Sequence, residues 1–322
     1  MYHAGHPVSL LSSVSALSNN LSAVVLSDKR SIEFTAAHKS VVHVAQWTAG
    51  HATSKQFSPE EQSSSSIGHI VQVSWCTMHS SRNILVVTTT RGLQMYDKDG
   101  LLLLFSHRLL PLEDQSETSF ARGICSVGDN VCIGTSTGDI IVFSVPATGN
   151  LITHVRTLKY HNHPVCAIHS IQSGLIASSD DNGKIVVWDS ISNFERVEST
   201  GEYGVPCTSV CLWNNLVVGG YGSGHIRIFS TETGKIRAEI AAHARWIHAL
   251  DVASETGLLI SCSEDTLVRV WKLPRVGEAE VHMLYSESIT DVQLVGAQFC
   301  DKQGSMFAIS GYDLGEIRIF KK

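Results

Sequence analysis

Residues 241–273, AAHARWIHALDVASETGLLISCSEDTLVRVWKL, hold the unit from which the whole chain is built. A His opens the stretch, two short apolar runs flank a Gly turn, and Ser-Glu-Asp leads into a third run closing on Trp271. Six further segments align with its end: SDKRSIEF (27–34), TRGLQMY (90–96), STGDIIVF (136–143), SDDNGKIVVW (179–188), GYGSGHIRIF (220–229) and GYDLGEIRIF (311–320). Each is a polar or Gly-rich turn followed by a β-rich run that ends on an aromatic residue. The closing aromatics Phe34, Tyr96, Phe143, Trp188, Phe229, Trp271 and Phe320 lie 62, 47, 45, 41, 42 and 49 residues apart.

All but the first spacing match the roughly 40–45 residues of a four-stranded propeller blade. The expected fold is all-β, a single seven-bladed β-propeller over residues 1–322. Alternation and turn signals place the strands within a period. In the sixth unit they fall at Trp246–Val252, Leu258–Ser263, Leu267–Lys272 and Val281–Tyr285; the fifth gives VPCTSVCLW, NLVVGG, HIRIF and KIRAEI. In the first unit NNLSAVVLSDKRSIEF sets Phe34 on Phe229, against a rival register matching FTAAHKSVVHVAQW to EIAAHARWIHALDV. The preferred register leaves an excess in HATSKQFSPEEQSSSS (51–66), expected as a polar Ser-rich loop insertion. The chain stops two residues after Phe320, so the last blade lacks an outer strand. Residues about 7–13, HPVSLLS, are expected to supply it and remove an open edge.

Within this frame His243, Ser263 (or Ser261), Asp265 and Trp271 resemble the tetrad of WD-repeat propellers, and His161, Ser179, Asp181 (or Asn182) and Trp188 resemble a second copy. The resemblance implies a buried hydrogen-bonded chain in which four polar groups satisfy one another. It also implies a protein-interaction adaptor with no cofactor and no catalytic residue. The other five units replace Trp by Phe or Tyr and have no matching His, so they pack as blades without the full network.

Other chemistry finds little support. The net charge is −6 with a pI near 6.2, and no Lys/Arg block exceeds two residues, which argues against nucleic-acid binding. The apolar run Leu101–Phe105 is too short to cross a bilayer, and MYHAGHPVSLLSS lacks a signal-peptide pattern. Eight dispersed cysteines suit a reducing compartment, hence a cytoplasmic chain reaching vesicles or membranes only through partners. His161 and His163 lack further ligands nearby for zinc, and Cys207 and Cys211 sit about 13 Å apart along a strand. GGYGSG (219–224) lacks the Lys-Ser/Thr of a phosphate loop and reads as a tight turn. No G-x-S-x-G or H-E-x-x-H occurs.

Function is therefore expected on the face that collects the d–a and b–c connections. There the acids Asp28, Glu60, Glu61, Glu113, Asp114, Glu117, Glu202, Glu264, Glu287 and Asp313 outnumber Lys29, Arg30, Lys55, Arg91 and Arg245. Tyr203, Tyr221, Trp246 and Tyr312 are the expected aromatic anchors, with Arg91, Arg245 and Glu264 beside them. An acidic rim with aromatics suits other proteins, basic peptides or basic loops. The expected function is a non-catalytic scaffold. The alternative is a peptide or modified-residue reader at the channel mouth, walled by Tyr221 or Tyr312. Ser58, in Ser-Pro-Glu-Glu, is an expected phosphorylation site. Leu102 and Leu104 mark an outer edge where a homo-oligomer would pair.

Overall fold

Short runs with a two-residue period make strands, and each strand here is too narrow to bury its apolar face alone. Stacking sheets face to face solves this, and the chain does so seven times. The computed structural model describes residues 1–26, 31–48, 51–59, 68–97, 102–109, 120–274 and 280–322. They form seven antiparallel sheets and, among the described residues, no helix. The innermost strands of consecutive sheets touch all the way round, with Leu294–Phe299 of the last meeting Ser22–Leu26 of the first. The protein is a closed seven-bladed β-propeller. Blades are numbered from the N-terminus and strands lettered a to d from the channel outward.

The register follows the sequence closely in the later blades. Blade 5 comprises Cys207–Trp213, Leu216–Tyr221, His225–Ser230 and Ile236–Ala241. Blade 6 comprises Ile247–Ala253, Leu258–Ser263, Leu267–Lys272 and His282–Ser288. Strand b is buried along its whole length in both blades, whereas strand d has mostly exposed residues. That gradient is what face-to-face stacking dictates: the middle strands lie between two neighbouring blades and the outer ones border solvent.

Blade 1 departs from the expected register. Ser31–His38 is strand b, paired through Phe34↔Ala23 to strand a (Ser22–Leu26). Val41–Thr48 is strand c and His51–Phe57 is strand d. The closing aromatic of strand c is therefore Trp47, not Phe34, and it lies 49 residues before Tyr96, in step with the other blades. The apparent long first period has gone. A buried eight-residue strand b ending in a tight turn at Lys39, with φ of 54° and no glycine, hid the b–c boundary. Strand d, HATSKQF, is polar because it faces solvent, so it carries no apolar alternation and reads as loop. The 51–66 stretch is thus a strand over its first seven residues. Lys55 lies in that strand rather than on the loop face.

Ring closure occurs at the expected place but with earlier residues. Strand c of blade 7, Glu316–Lys321, pairs with His3–Ala4 (His3↔Lys321) and with Val8–Ser9 (Val8↔Ile317). Pro7 cannot donate to a ladder, which divides the closing strand into two pieces. Gly5 N–H bonds the Ile319 carbonyl between them at 2.7 Å. Tyr2 anchors the end, its ring edge-on to Phe307 and Tyr285 at centroid distances of 4.8 and 5.2 Å. Residues 10–13 leave the edge and turn towards the loop face.

At the blade 2 edge, Leu102 is 60% exposed, whereas Leu104 is half-buried against the core shared by blades 2 and 3. Leu103 packs on the opposite side, against blades 1 and 2. The apolar run therefore fills two inter-blade seams, and only Leu102 stands free for an oligomer edge. Leu101 lies outside the described residues.

Candidate functional site

Two buried networks brace the loop face, and both use residues one or two positions from those expected. In blade 6, Trp271 Nε1–H donates to Ser261 Oγ at 2.9 Å, and Ser261 lies 2.8 Å from His243 Nε2. His243 Nδ1 is 3.0 Å from both Asp265 oxygens, one of which also accepts Ala244 N–H. Ser263 is outside this chain of bonds; its hydroxyl donates to the Arg245 carbonyl and accepts Asp265 N–H. In blade 4, Trp188 Nε1–H donates to Ser178, which meets His161 Nε2 at 2.7 Å, and His161 Nδ1 lies 2.7 Å from Asp180. Asp181 instead forms an ion pair with Arg122 at 3.0 Å and accepts the Cys166 thiol. Ser179 bonds the Cys207 carbonyl of blade 5. The correction has a period-2 cause: each tetrad serine sits ten residues before its Trp on the same strand face, so Ser263 and Ser261 share that face, while Ser179 points the other way. Burial raises the Asp265 pKa, but His243 and the Ala244 and Leu267 N–H groups outweigh it and hold the carboxyl at about 2.

Each tetrad histidine is placed by a glycine in the preceding blade. Gly224 closes the GGYGSG turn with φ of +79°, and its carbonyl accepts Ala242 and His243 N–H. A Cβ there would collide with the His243 carbonyl. Gly138 stands in the same relation to His161. Gly224→Ala is accordingly expected to destabilise the fold by about 2–3 kcal/mol, from the left-handed backbone and the clash together. Urea unfolding measures it, and a change below about 0.5 kcal/mol would show that the turn relaxes freely.

The channel wall is held by a second, wider pattern. At six of the seven blade junctions, a strand-a side chain accepts a backbone N–H from strand a of the next blade. The first three are Gln298 from Ala23, Ser22 from Trp75 and Gln72 from Gly123. The others are His169 from Leu212, Ser209 from Leu250 and Asp251 from Phe299. At the seventh, Arg122 Nε–H donates to the Val165 carbonyl. The six acceptor side chains line a cavity of about 140 Å³ inside the ring. Desolvation in that wall pushes His169 down to about 4. The same desolvation outweighs the Phe299 and Val252 N–H bonds to Asp251 and raises it to about 7. The sequence offers no motif for this ring because the acceptor changes among Gln, Ser, His and Asp from junction to junction.

The loop-face mouth of the channel is covered by the chain's own residues 10–21. Val14 bridges Tyr312 of blade 7, and its carbonyl accepts Asp313 N–H. Asn19, with φ of 56°, sends its N–H to the His248 carbonyl of blade 6 and its side-chain N–H to the Thr208 carbonyl of blade 5. Ser209 donates back to Asn19 Oδ1 at 2.8 Å. Asn20 bonds blades 1 and 7 through the Ala37 and Val295 backbones. The mouth expected as a reader's pocket is thus filled. Tyr221, its expected wall, is fully buried beneath the face, stacked with the Arg227 guanidinium, and offers no surface to a partner.

What remains outward on the face is more restricted than expected. Trp246 is 42% exposed in the turn entering blade 6, and Tyr312 is 52% exposed in the b–c turn of blade 7. Arg245 and Arg91 are exposed, Tyr203 half-buried against Arg227, and Glu264 half-buried 3.3 Å from His248. Glu287, Asp291 and Asp313 are exposed at the loop-face ends of blades 6 and 7. Asp28, Lys29, Arg30, Glu60, Glu61, Glu113, Asp114 and Glu117 lie outside the described residues. Ser58 follows strand d of blade 1 and is exposed.

Ser18, His248 and Glu264 line up as hydroxyl, imidazole and carboxylate, with Ser18 Oγ 2.9 Å from His248 Nδ1. The backbone N–H groups of Asn19 and Asn20 that follow Ser18 are spent on the His248 and Val295 carbonyls. They cannot stabilise an oxyanion. Among the described residues no three His, Cys, Asp or Glu side chains gather as metal ligands, and all eight cysteines are free and buried. No helix among them is long and apolar enough to cross a membrane.

Comparison with known proteins agrees with this architecture. The WDR54 family profile matches residues 1–322. WD repeat-containing protein 54 of Mus musculus is 38% identical over 332 aligned residues, and that of Homo sapiens 36% over 336, each covering 99% of both chains. A propeller in the crystal structure of the mitotic checkpoint complex superposes with a TM-score of 0.77 at 15% identity, covering 99% of this chain and 91% of that one. The structure of U3-55K gives 0.74 at 13%, covering 100% and 98%. At such identities these two show the fold alone. The tetrads, the ring and the full-length match agree: the chain belongs to the WDR54 family of WD-repeat propellers.

Proposed function

We propose that this chain is a non-catalytic scaffold that holds a basic segment of another protein against blades 6 and 7 of its loop face. One observation carries the reading: two large aromatics, Trp246 in the turn entering blade 6 and Tyr312 in the b–c turn of blade 7, are exposed on the loop face, and Glu287, Asp291 and Asp313 are exposed on the same two blades. Exposed aromatics of this size are enriched where partners anchor, and clustered carboxylates steer basic groups towards them. Arg245 sits at the border of the patch and sets its charge limit. Membership of a WD-repeat family, and likeness to a propeller within the mitotic checkpoint complex, support a role in protein assembly. Eight free buried thiols suit a cytoplasmic setting.

Proximity labelling in cells tests this against a Trp246→Ala/Glu287→Lys variant. Loss of a discrete set of neighbours, with an unchanged melting temperature, is expected. An identical set of labelled proteins would sink the proposal.

A further inference from the structure

The segment over the channel mouth is built differently from everything beneath it. Blades are held by apolar seams, whereas residues 10–21 are held chiefly by side-chain hydrogen bonds. Three serines meet three histidines: Ser12 Oγ lies 2.9 Å from His43 Nε2, Ser13 Oγ 3.3 Å from His38 Nδ1, and Ser18 Oγ 2.9 Å from His248 Nδ1. Asn19 and Asn20 add the bonds already described. Of the segment's apolar side chains, only Val14 and Leu21 are buried: Val14 in a small cluster with Ala36 and Val295, Leu21 at the junction of blades 7 and 1. Leu11 and Ala16 are exposed, and Leu17 is half-buried.

The seat is complete without its occupant. The inter-blade bonds of the channel wall, from Gln298–Ala23 round to Asp251–Phe299, involve no atom of residues 10–20. The outer strand of blade 7 ends at Ser9, and strand a of blade 1 begins at Ser22. Both ends of the segment are therefore fixed by sheets that do not depend on its middle. Each of its hydrogen bonds contributes little net stability, because water replaces the partner when it breaks.

We propose that residues 11–20 form a releasable plug, which leaves the channel mouth as a unit while Leu10 and Leu21 stay in the seam of blades 7 and 1 and the seven blades stay folded. Release opens the polar cavity to the loop face. It also uncovers the Ala37, His248, Val295 and Thr208 carbonyls and the Ala37 N–H, a row suited to an extended peptide bearing side-chain amides. The plug lies beside Tyr312, yet the inference does not depend on any partner docking there.

Hydrogen exchange separates this from a purely structural role. In the full-length protein, the amides of Ser15, Asn19 and Asn20 are expected to exchange at least about 100-fold faster than those of the buried strand Leu258–Ser263, through local opening. A Ser12→Ala/Ser13→Ala/Ser18→Ala variant is expected to speed exchange in this segment by a further factor of about 10, with blade amides unchanged and melting within about 2 °C of the parent. Exchange of the segment only in step with the blades would overturn the proposal. So would a triple variant whose blade amides accelerate together with those of the segment. If that variant fails to fold, the parent protein's exchange pattern decides alone.

Discussion

His243→Ala is expected to lower the unfolding free energy by about 3 kcal/mol and the melting temperature by about 5 °C. The substitution leaves Asp265 charged and only partly exposed, with its ring partner gone, and takes one of two partners from Ser261. Losing one member of a satisfied buried network costs more than an average hydrogen bond because the remaining groups must be desolvated unpaired. His161→Ala should behave alike in blade 4, where Asp180 and His161 are almost fully shielded from solvent. Thermal unfolding followed by circular dichroism measures both, and a shift below 1 °C in each would remove the tetrads from the account of stability. The acid limb follows from the same groups. The depressed Asp265 carboxyl contributes stability that is present above about pH 4 and lost as the pH falls towards 2.

Asp251→Asn is expected to stabilise the protein at pH 8 by about 2 kcal/mol and to leave it nearly unchanged at pH 4. Six junctions of the channel wall are made by neutral side chains or by Arg122, and Asp251 alone brings a carboxylate. Its folded pKa of about 7 lies above the ordinary carboxyl value near 3.9. The folded state therefore binds the extra proton between those limits, and stability from this group is full below pH 4 and lost as the pH rises through 7. An unscreened three-unit shift would correspond to about 4 kcal/mol, and solvent screening of the half-buried side chain reduces that to about 2 kcal/mol. The Asn side-chain oxygen still accepts Phe299 N–H, so the bond survives while the buried charge is removed. Urea midpoints of both proteins at pH 4, 6 and 8 check it. Parallel curves would show that Asp251 stays ionised throughout.

The sequence carried the blades wherever strand c closes on an aromatic after a glycine turn, as at Phe143, Trp188 and Phe229. It failed in blade 1, where a turn without glycine and a polar outer strand leave neither punctuation nor alternation. It placed the tetrad histidines, the tryptophans and Asp265, left Ser261 and Ser263 as alternatives in blade 6, and slipped by one residue on the serine and acid of blade 4. In SSDD strand facing selects Ser178 over Ser179, whereas in SCSED the two serines share a face and the reach of Trp271 Nε1–H selects Ser261. Tyr221 was mistaken for a surface anchor because a turn-flanking tyrosine looks exposed until Arg227 is seen stacked on it. The wall ring and the plug were invisible for a different reason. Many of their partners are backbone atoms far away in the chain, as with Asn19 and Thr208 or Gln298 and Ala23, and a backbone partner leaves no residue signature.

The most direct test of the scaffold reading compares two faces of one folded protein. Trp246→Ala/Tyr312→Ala alters the loop face, and Leu151→Lys/Ile191→Lys alters the opposite face, where those two residues are each 79% exposed. Both variants should retain the parent's melting temperature. Quantitative co-purification of cross-linked partners is expected to lose a common set with the first pair and keep it with the second. Partners lost only with Leu151 and Ile191 would contradict the account and move the docking surface to the other side of the ring.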